Sequence, residues 1–409
     1  MLVAAAATLA ATATYGVWIV RHGADRPGPA LGRCAVSSTH AISVDPEALG
    51  LQVVARGDAA WVLLSQGAPA GAGARVQVVH MPGRGPATRT DPVDVAGDPR
   101  GDLPADLVLT PEGPTLVFAD AARVASVGPL VPGRPAPGPT ELHRPPSPPL
   151  GLTAALSPSG RLELHLRRGA SIERLDPDRA HAPTPLLGPS VPAEAPLQRY
   201  TLAALPLGRD GVPGPAWGTT LSEAPPEAPG CLPGAFAALS DTEHRPVALP
   251  GAGTPLANAR SLLDPSTARC GDRVLSAAWR GSVVAATLRR ASGQTLAVQV
   301  DLATGTATDL PLDPHPAVSV THPAVSVGDR GTLALWVDPV PQGPRIRSRM
   351  FRPDGAPWGP AETLGEVMTA PSARDPRRPM PLAYAGSGRW VAVFSSARGP
   401  RLARIHCGE

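Results

Sequence analysis

Four cysteines, ten histidines and a run of aspartates are the side chains in this sequence with metal-binding or redox potential. Asp91, Asp94, Asp98, Asp102 and Asp106 follow one another closely, with Gly97 and Gly101 between them. Oxygen-rich loops of this kind can hold calcium, but the spacing departs from the DxDxDG pattern, and the run reads as a solvated connection between structural units. His315 and His322, in DPHPAVSVTHP, would supply two metal ligands where a zinc site takes three or four, and each precedes a proline, as loop histidines do. Cys34, Cys231, Cys270 and Cys407 form no CxxC and no Cys/His pair at zinc spacing, so disulfides are their expected chemistry. A bridge from Cys231 to Cys270 would stabilise the fold by roughly 4 kcal/mol in the chain-entropy view. Cys34 and Cys407 bracket nearly the whole chain. Two such bridges imply an oxidising compartment; the alternative is four inert buried thiols.

No GxSxG elbow, HExxH helix or GxGxxG turn occurs, so no catalytic, cofactor-binding or metal-binding residue is assigned and no cofactor is expected. All 37 basic residues are arginine. Without lysine there is no phosphate-cradling P-loop, no Schiff-base chemistry, no Ser-Lys hydrolase and no kinase-type ion pair. The net charge is +3, the arginines are scattered, and aromatic residues are 3% of the chain. Nucleic-acid binding needs clustered cations and stacking rings, so it is not expected.

These side chains need a body to position them, and proline and glycine shape it, at 53 and 43 of 409 residues. The uncharged run Leu2–Val20 is long enough to cross a bilayer as a helix, so residues 1–21 are expected to form a signal peptide or transmembrane anchor, with membrane contact if uncleaved. Residues 22–34 read as a Pro/Gly-rich linker, and 35–409 as one β domain. Past residue 26 the longest proline-free stretch is Ser266–Leu310, and it too reads as short strands. In RLELHLR, Leu162, Leu164 and Leu166 share one face, which is period two.

A glycine followed by an apolar strand recurs at Gly57, Gly113, Gly160, Gly234, Gly281, Gly331 and Gly388, with a mean period of about 55 residues. Asp210-Gly211 and Asp354-Gly355 are hairpin-turn signals, each followed by a Trp-Gly at Trp217 or Trp358. Each repeat therefore reads as about four strands, and such sheets bury both faces by stacking radially. The fold class is all-β, a β-propeller preceded by one N-terminal hydrophobic helix. Seven blades are expected, and eight are compatible with the long interval from Gly160 to Gly234. The last repeat ends short, at RLARIHCGE, and CAVSSTHAISV can supply its outer strand, with Cys34 and Cys407 stapling the shared blade.

The pattern resembles the propeller repeats of secreted or membrane-anchored bacterial proteins. That resemblance implies an extracytoplasmic protein, periplasmic, secreted or anchored at the inner membrane. With no coherent catalytic set, it implies a non-catalytic binding or scaffold module of the envelope, with an envelope protein or glycan as partner. The alternative is a propeller hydrolase or lyase acting on a carbohydrate or lactone. Two local resemblances are narrower. VWIVRHGADRP is similar to the RHG segment of the histidine phosphatases, which would make His22 the nucleophile and Arg21 and Arg26 phosphate ligands; no second histidine motif follows, and the segment reads as the polar flank of the apolar run. SVGDRGTLALW is similar to the sialidase Asp-box, with Asp329 and Trp336 displaced from the family's spacing, and its aromatic is accounted for by packing.

Overall fold

Two-residue turns with left-handed backbone punctuate the chain. In the hairpin joining Leu49–Arg56 to Ala59–Gly67, Gly57 has φ 59°; in that joining Leu382–Gly386 to Arg389–Ser396, Ser387 and Gly388 have φ 53° and 66°. Turns of this hand match the right-handed twist of the strands they connect, and glycine takes the conformation without steric cost. The computed structural model describes residues 32–156 and 273–408, apart from short connecting segments. Between them it describes the strands Leu162–Arg168, Ser171–Leu175, Thr184–Leu187, Gln198–Ala204, Ala216–Ser222 and Ala237–Ala238. The N-terminal apolar run, with Arg21, His22 and Arg26, lies outside the described residues, as do Cys231 and Cys270. Among the described residues no helix is long and apolar enough to cross a membrane.

The described strands form seven antiparallel sheets. Their innermost strands are, in chain order, Leu49–Arg56, Ala105–Leu109, Gly151–Leu156, Gln198–Ala204, Arg273–Arg280, Thr321–Val327 and Leu382–Gly386. Each sheet packs against the next and the seventh against the first, so the ring closes as in a β-propeller. Six of the seven glycine-led repeats become the second strand of their sheet. The fourth differs: Gly234 leads into Ala237–Ala238, the third strand of its sheet, and the Trp217 strand Ala216–Ser222 takes second place.

Apolar cores lie between neighbouring sheets. Trp61, Leu116 and Phe118 pack between the first and second, Leu164 and Leu166 between the second and third, Trp336 and Phe351 between the fifth and sixth, and Trp390 and Ile405 between the sixth and seventh. Burying a side chain of this size contributes about 1.5–3 kcal/mol, so the recurring aromatic positions are the packing units of the ring. In the Asp-box-like segment the strand start around Trp336, which is fully buried, belongs to the core, while Asp329 lies in the turn between Thr321–Val327 and Thr332–Val340.

The seventh sheet is built from both ends of the chain. Cys34–Ala41 pairs antiparallel with Gly399–Cys407 and forms its outer strand. The register sets Cys34 opposite Cys407, their Cα atoms 4.0 Å apart and their sulfurs bonded at 2.07 Å. Just before this strand Gly32 donates its N–H to Gly408 O at 2.8 Å with φ 76°; a Cβ there would meet Trp358 Cβ at 2.5 Å, so the closure requires glycine.

Candidate functional site

An innermost strand has a neighbour on one side only, and its other edge carries backbone groups that must find other partners. In the first three sheets side chains supply them. Gln52, on the first inner strand, reaches the second: its Oε1 accepts from Leu107 N–H at 2.7 Å and its Nε2 donates to Leu107 O at 3.2 Å. Asp106, on the second inner strand, reaches the third: its Oδ2 accepts from Ala154 N–H at 2.7 Å and from Thr153 Oγ1 at 2.9 Å, while Oδ1 accepts from Leu107 N–H at 2.8 Å. Gln52, Asp106 and Thr153 thus join three consecutive sheets along their inner edges.

Asp106 is partly buried, and desolvation of its carboxyl pushes its pKa above the usual carboxylate range, against the opposing pull of the hydrogen bonds from Ala154, Thr153, Leu107 and Gln52. The sequence reading of Asp106 as part of a solvated connection is corrected here. It lies within the strand Ala105–Leu109, whereas Asp94 is exposed and pairs with Arg75 at 2.7 Å; Asp91 is exposed and Asp98 and Asp102 lie outside the described residues. A carboxyl whose proton affinity is raised can deliver or accept a proton, and perturbed groups of this kind concentrate at reactive sites.

The turns after the inner strands form a second polar set. Arg56 Nη2 and Nη1 donate to Thr110 O at 2.8 Å and Pro111 O at 3.2 Å in the turn of the second sheet. Arg389 of the seventh sheet pairs with Asp58 of the first. Asp329 accepts from Tyr384 Oη at 2.7 Å and pairs with Arg280, whose guanidinium lies 5.0 Å from the Tyr384 ring centroid. Five sheets, the fifth through the second, are therefore linked turn to turn, and these groups already satisfy one another.

Asp329 is one member of this set, and His322 stands at a bulge with φ 50° in Thr321–Val327; His315 lies outside the described residues. Among the described residues no three His, Cys, Asp or Glu side chains gather as a metal site would require. The sequence reading missed Gln52, Arg280 and Tyr384. Their only local signal was a polar side chain in an otherwise apolar inner strand or at its end, and such a signal does not say which strand comes next to it in space.

No family model matches the sequence, and no curated protein matches it. Among solved structures, a puromycin hydrolase covers 90% of this chain at 19% identity and a TM-score of 0.52, with 53% of its own chain covered. The polysaccharide lyase Uly1 covers 90% at 8% identity and a TM-score of 0.51, with 91% of its chain covered. The β-propeller domain of the Trilobed protease from Pyrococcus furiosus covers 88% at 7% identity and a TM-score of 0.46. At these identities the likeness shows the fold alone, and the chain spans about half the length of the puromycin hydrolase. The expectation of a non-catalytic envelope scaffold is corrected by these comparisons. It rested on a repeat fold without a local catalytic motif, and a hydrolase and a lyase carry that same fold. The hydrolase-or-lyase alternative stands closer to them.

Proposed function

We propose that this chain is a seven-bladed propeller serving a hydrolase or lyase outside the cytoplasm, acting on a carbohydrate or lactone, with Asp106 as its proton-transfer group. The observation that carries the reading is the Asp106 carboxyl, crowded on an inner strand and pushed up in pKa by burial. A group so held can protonate a leaving oxygen at a pH where exposed carboxylates are already ionised. Thr153 and Ala154 orient it from the next sheet. The Cys34–Cys407 bridge supports maturation in an oxidising compartment, with residues 1–21 as export signal or membrane anchor, 22–34 as linker and 35–409 as the propeller.

The test is a turnover screen of purified protein with glycan, lactone, ester and aminoacyl-amide substrates, comparing the wild type with Asp106→Asn and recording melting beside each rate. Turnover with an acid requirement on the basic limb of the pH–rate profile, lost in a folded Asp106→Asn, is the expected result. Absence of turnover across the screen, or equal rates and profiles in both proteins, overturns it.

A further inference from the structure

A cleft of about 50 Å³ opens between the first sheet and the segment after the third strand of the second. Its floor is Trp61 and His80, cross-strand partners whose rings stack with centroids 5.0 Å apart. Leu130 and Val131 form an apolar wall, and Arg89 and Arg134 belong to its lining. Three observations distinguish it. First, its ionisable lining is two guanidiniums and one imidazole, with no acidic side chain. Second, Arg89 spends one donor on Ile42 O at 2.7 Å, and among the described residues neither Arg89 nor Arg134 forms an ion pair. Third, Val131, at 38%, is the only large apolar side chain left exposed among the described residues.

Exposed arginines without carboxylate partners beside an exposed apolar side chain match an amphiphilic anion. The volume corresponds to about three or four water molecules, room for a carboxylate and the first carbons of its substituent, the remainder of the ligand lying over the exposed Val131. Burial and then the nearby Arg404 cation hold the His80 ring below the usual histidine range, so the positive charge of the lining is that of the two guanidiniums. We propose that this cleft binds a small organic carboxylate, its charged end taken by Arg89 and Arg134 and its apolar end laid against Leu130 and Val131. Guanidinium suits this role because its planar fork meets a carboxylate with two parallel hydrogen bonds. The site stands apart from Asp106, and its test does not depend on turnover.

The experiment is calorimetric titration of the full chain with N-acetyl-leucine, with its neutral amide, and with galacturonate. The acid is expected to bind at least about tenfold more tightly than the amide, and Arg134→Ala to weaken it by at least about fivefold with melting unchanged. Arg134 is exposed in a turn, which keeps the variant folded, and Arg89→Lys is the second variant, retaining the charge while losing the fork. Tighter binding of the acyl amino acid assigns a peptide-type carboxylate and tighter galacturonate a glycan-type one; either sustains the site. Equal binding of acid and amide, no binding below about 10 mM, or unchanged affinity in Arg134→Ala overturns it.

Discussion

Two junctions of the ring hold neighbouring sheets together by different means. Where the seventh sheet closes on itself and meets the first, the partners come from opposite ends of the chain: Cys34 bonds Cys407, Arg389 pairs with Asp58, and Val391, Val393 and Leu402 pack on Val53 and Val62. Where the first, second and third sheets meet, the partners are close in sequence and the inner contacts are polar, Gln52 to Leu107 and Asp106 to Ala154. Closure must oppose the entropy of bringing together residues 373 positions apart, and a covalent bond does that in one place. The consecutive junctions carry no such cost, and what they need is satisfaction of an unpaired strand edge.

Removing the covalent part should have the largest effect. Cys34→Ser with Cys407→Ser is expected to cost about 5–6 kcal/mol for a loop of this length in the chain-entropy view, measured by denaturant unfolding under oxidising conditions. In reductant the parent should fall to the level of the double variant; a parent indifferent to reductant would place the closure in packing alone. Next comes the apolar part beside it. Trp390→Ala, at a fully buried position between the sixth and seventh sheets, is expected to cost about 3–5 kcal/mol by the same measurement.

At the polar junction the expected effect is smaller and depends on pH. Asp106→Asn keeps one acceptor oxygen where the carboxyl offers two, and is expected to cost about 1–3 kcal/mol. Because the folded protein holds the Asp106 proton more tightly than the unfolded chain does, its contribution is full below the unfolded carboxylate value of 3.8 and is lost as pH rises toward the folded value. The gap between parent and variant should therefore be widest in acid and narrow upward, as melting curves across that range will report. The smallest effect belongs to Arg389→Ala: its pair with Asp58 leaves the two side chains 41% and 73% exposed, so a change of about 0.5 kcal/mol or less is expected, diminishing in salt. A large effect there would move the closure's stability from the disulfide to the turns.

The strands themselves were legible in the residues. Leu162, Leu164 and Leu166 alternate toward one core, and glycine-led apolar runs at Gly57, Gly113, Gly331 and Gly388 become second strands because a turn glycine, with positive φ at Gly57, Gly113 and Gly388, and the apolar run that follows it are local properties. Gly234 misled for the same reason: a local pattern does not count how many strands precede it in its sheet. The proton-transfer candidate was not legible. Asp106 sits in a sequence run of five aspartates that reads as solvent-facing, and the neighbouring Gly151–Leu156 strand, with Thr153 and Ala154 hydrogen-bonded to it, partly shields it from water. The cleft at Trp61 and His80 likewise joins a strand pair to a segment some fifty residues on. Sequence alone determined the all-β character, the repeat and the excluded lysine chemistry, since each follows from residue type and spacing. Tertiary structure decided which edges face one another, and with them the raised proton affinity of Asp106 and the partners of Gln52, because desolvation and hydrogen bonding between sheets depend on distances that no local pattern encodes.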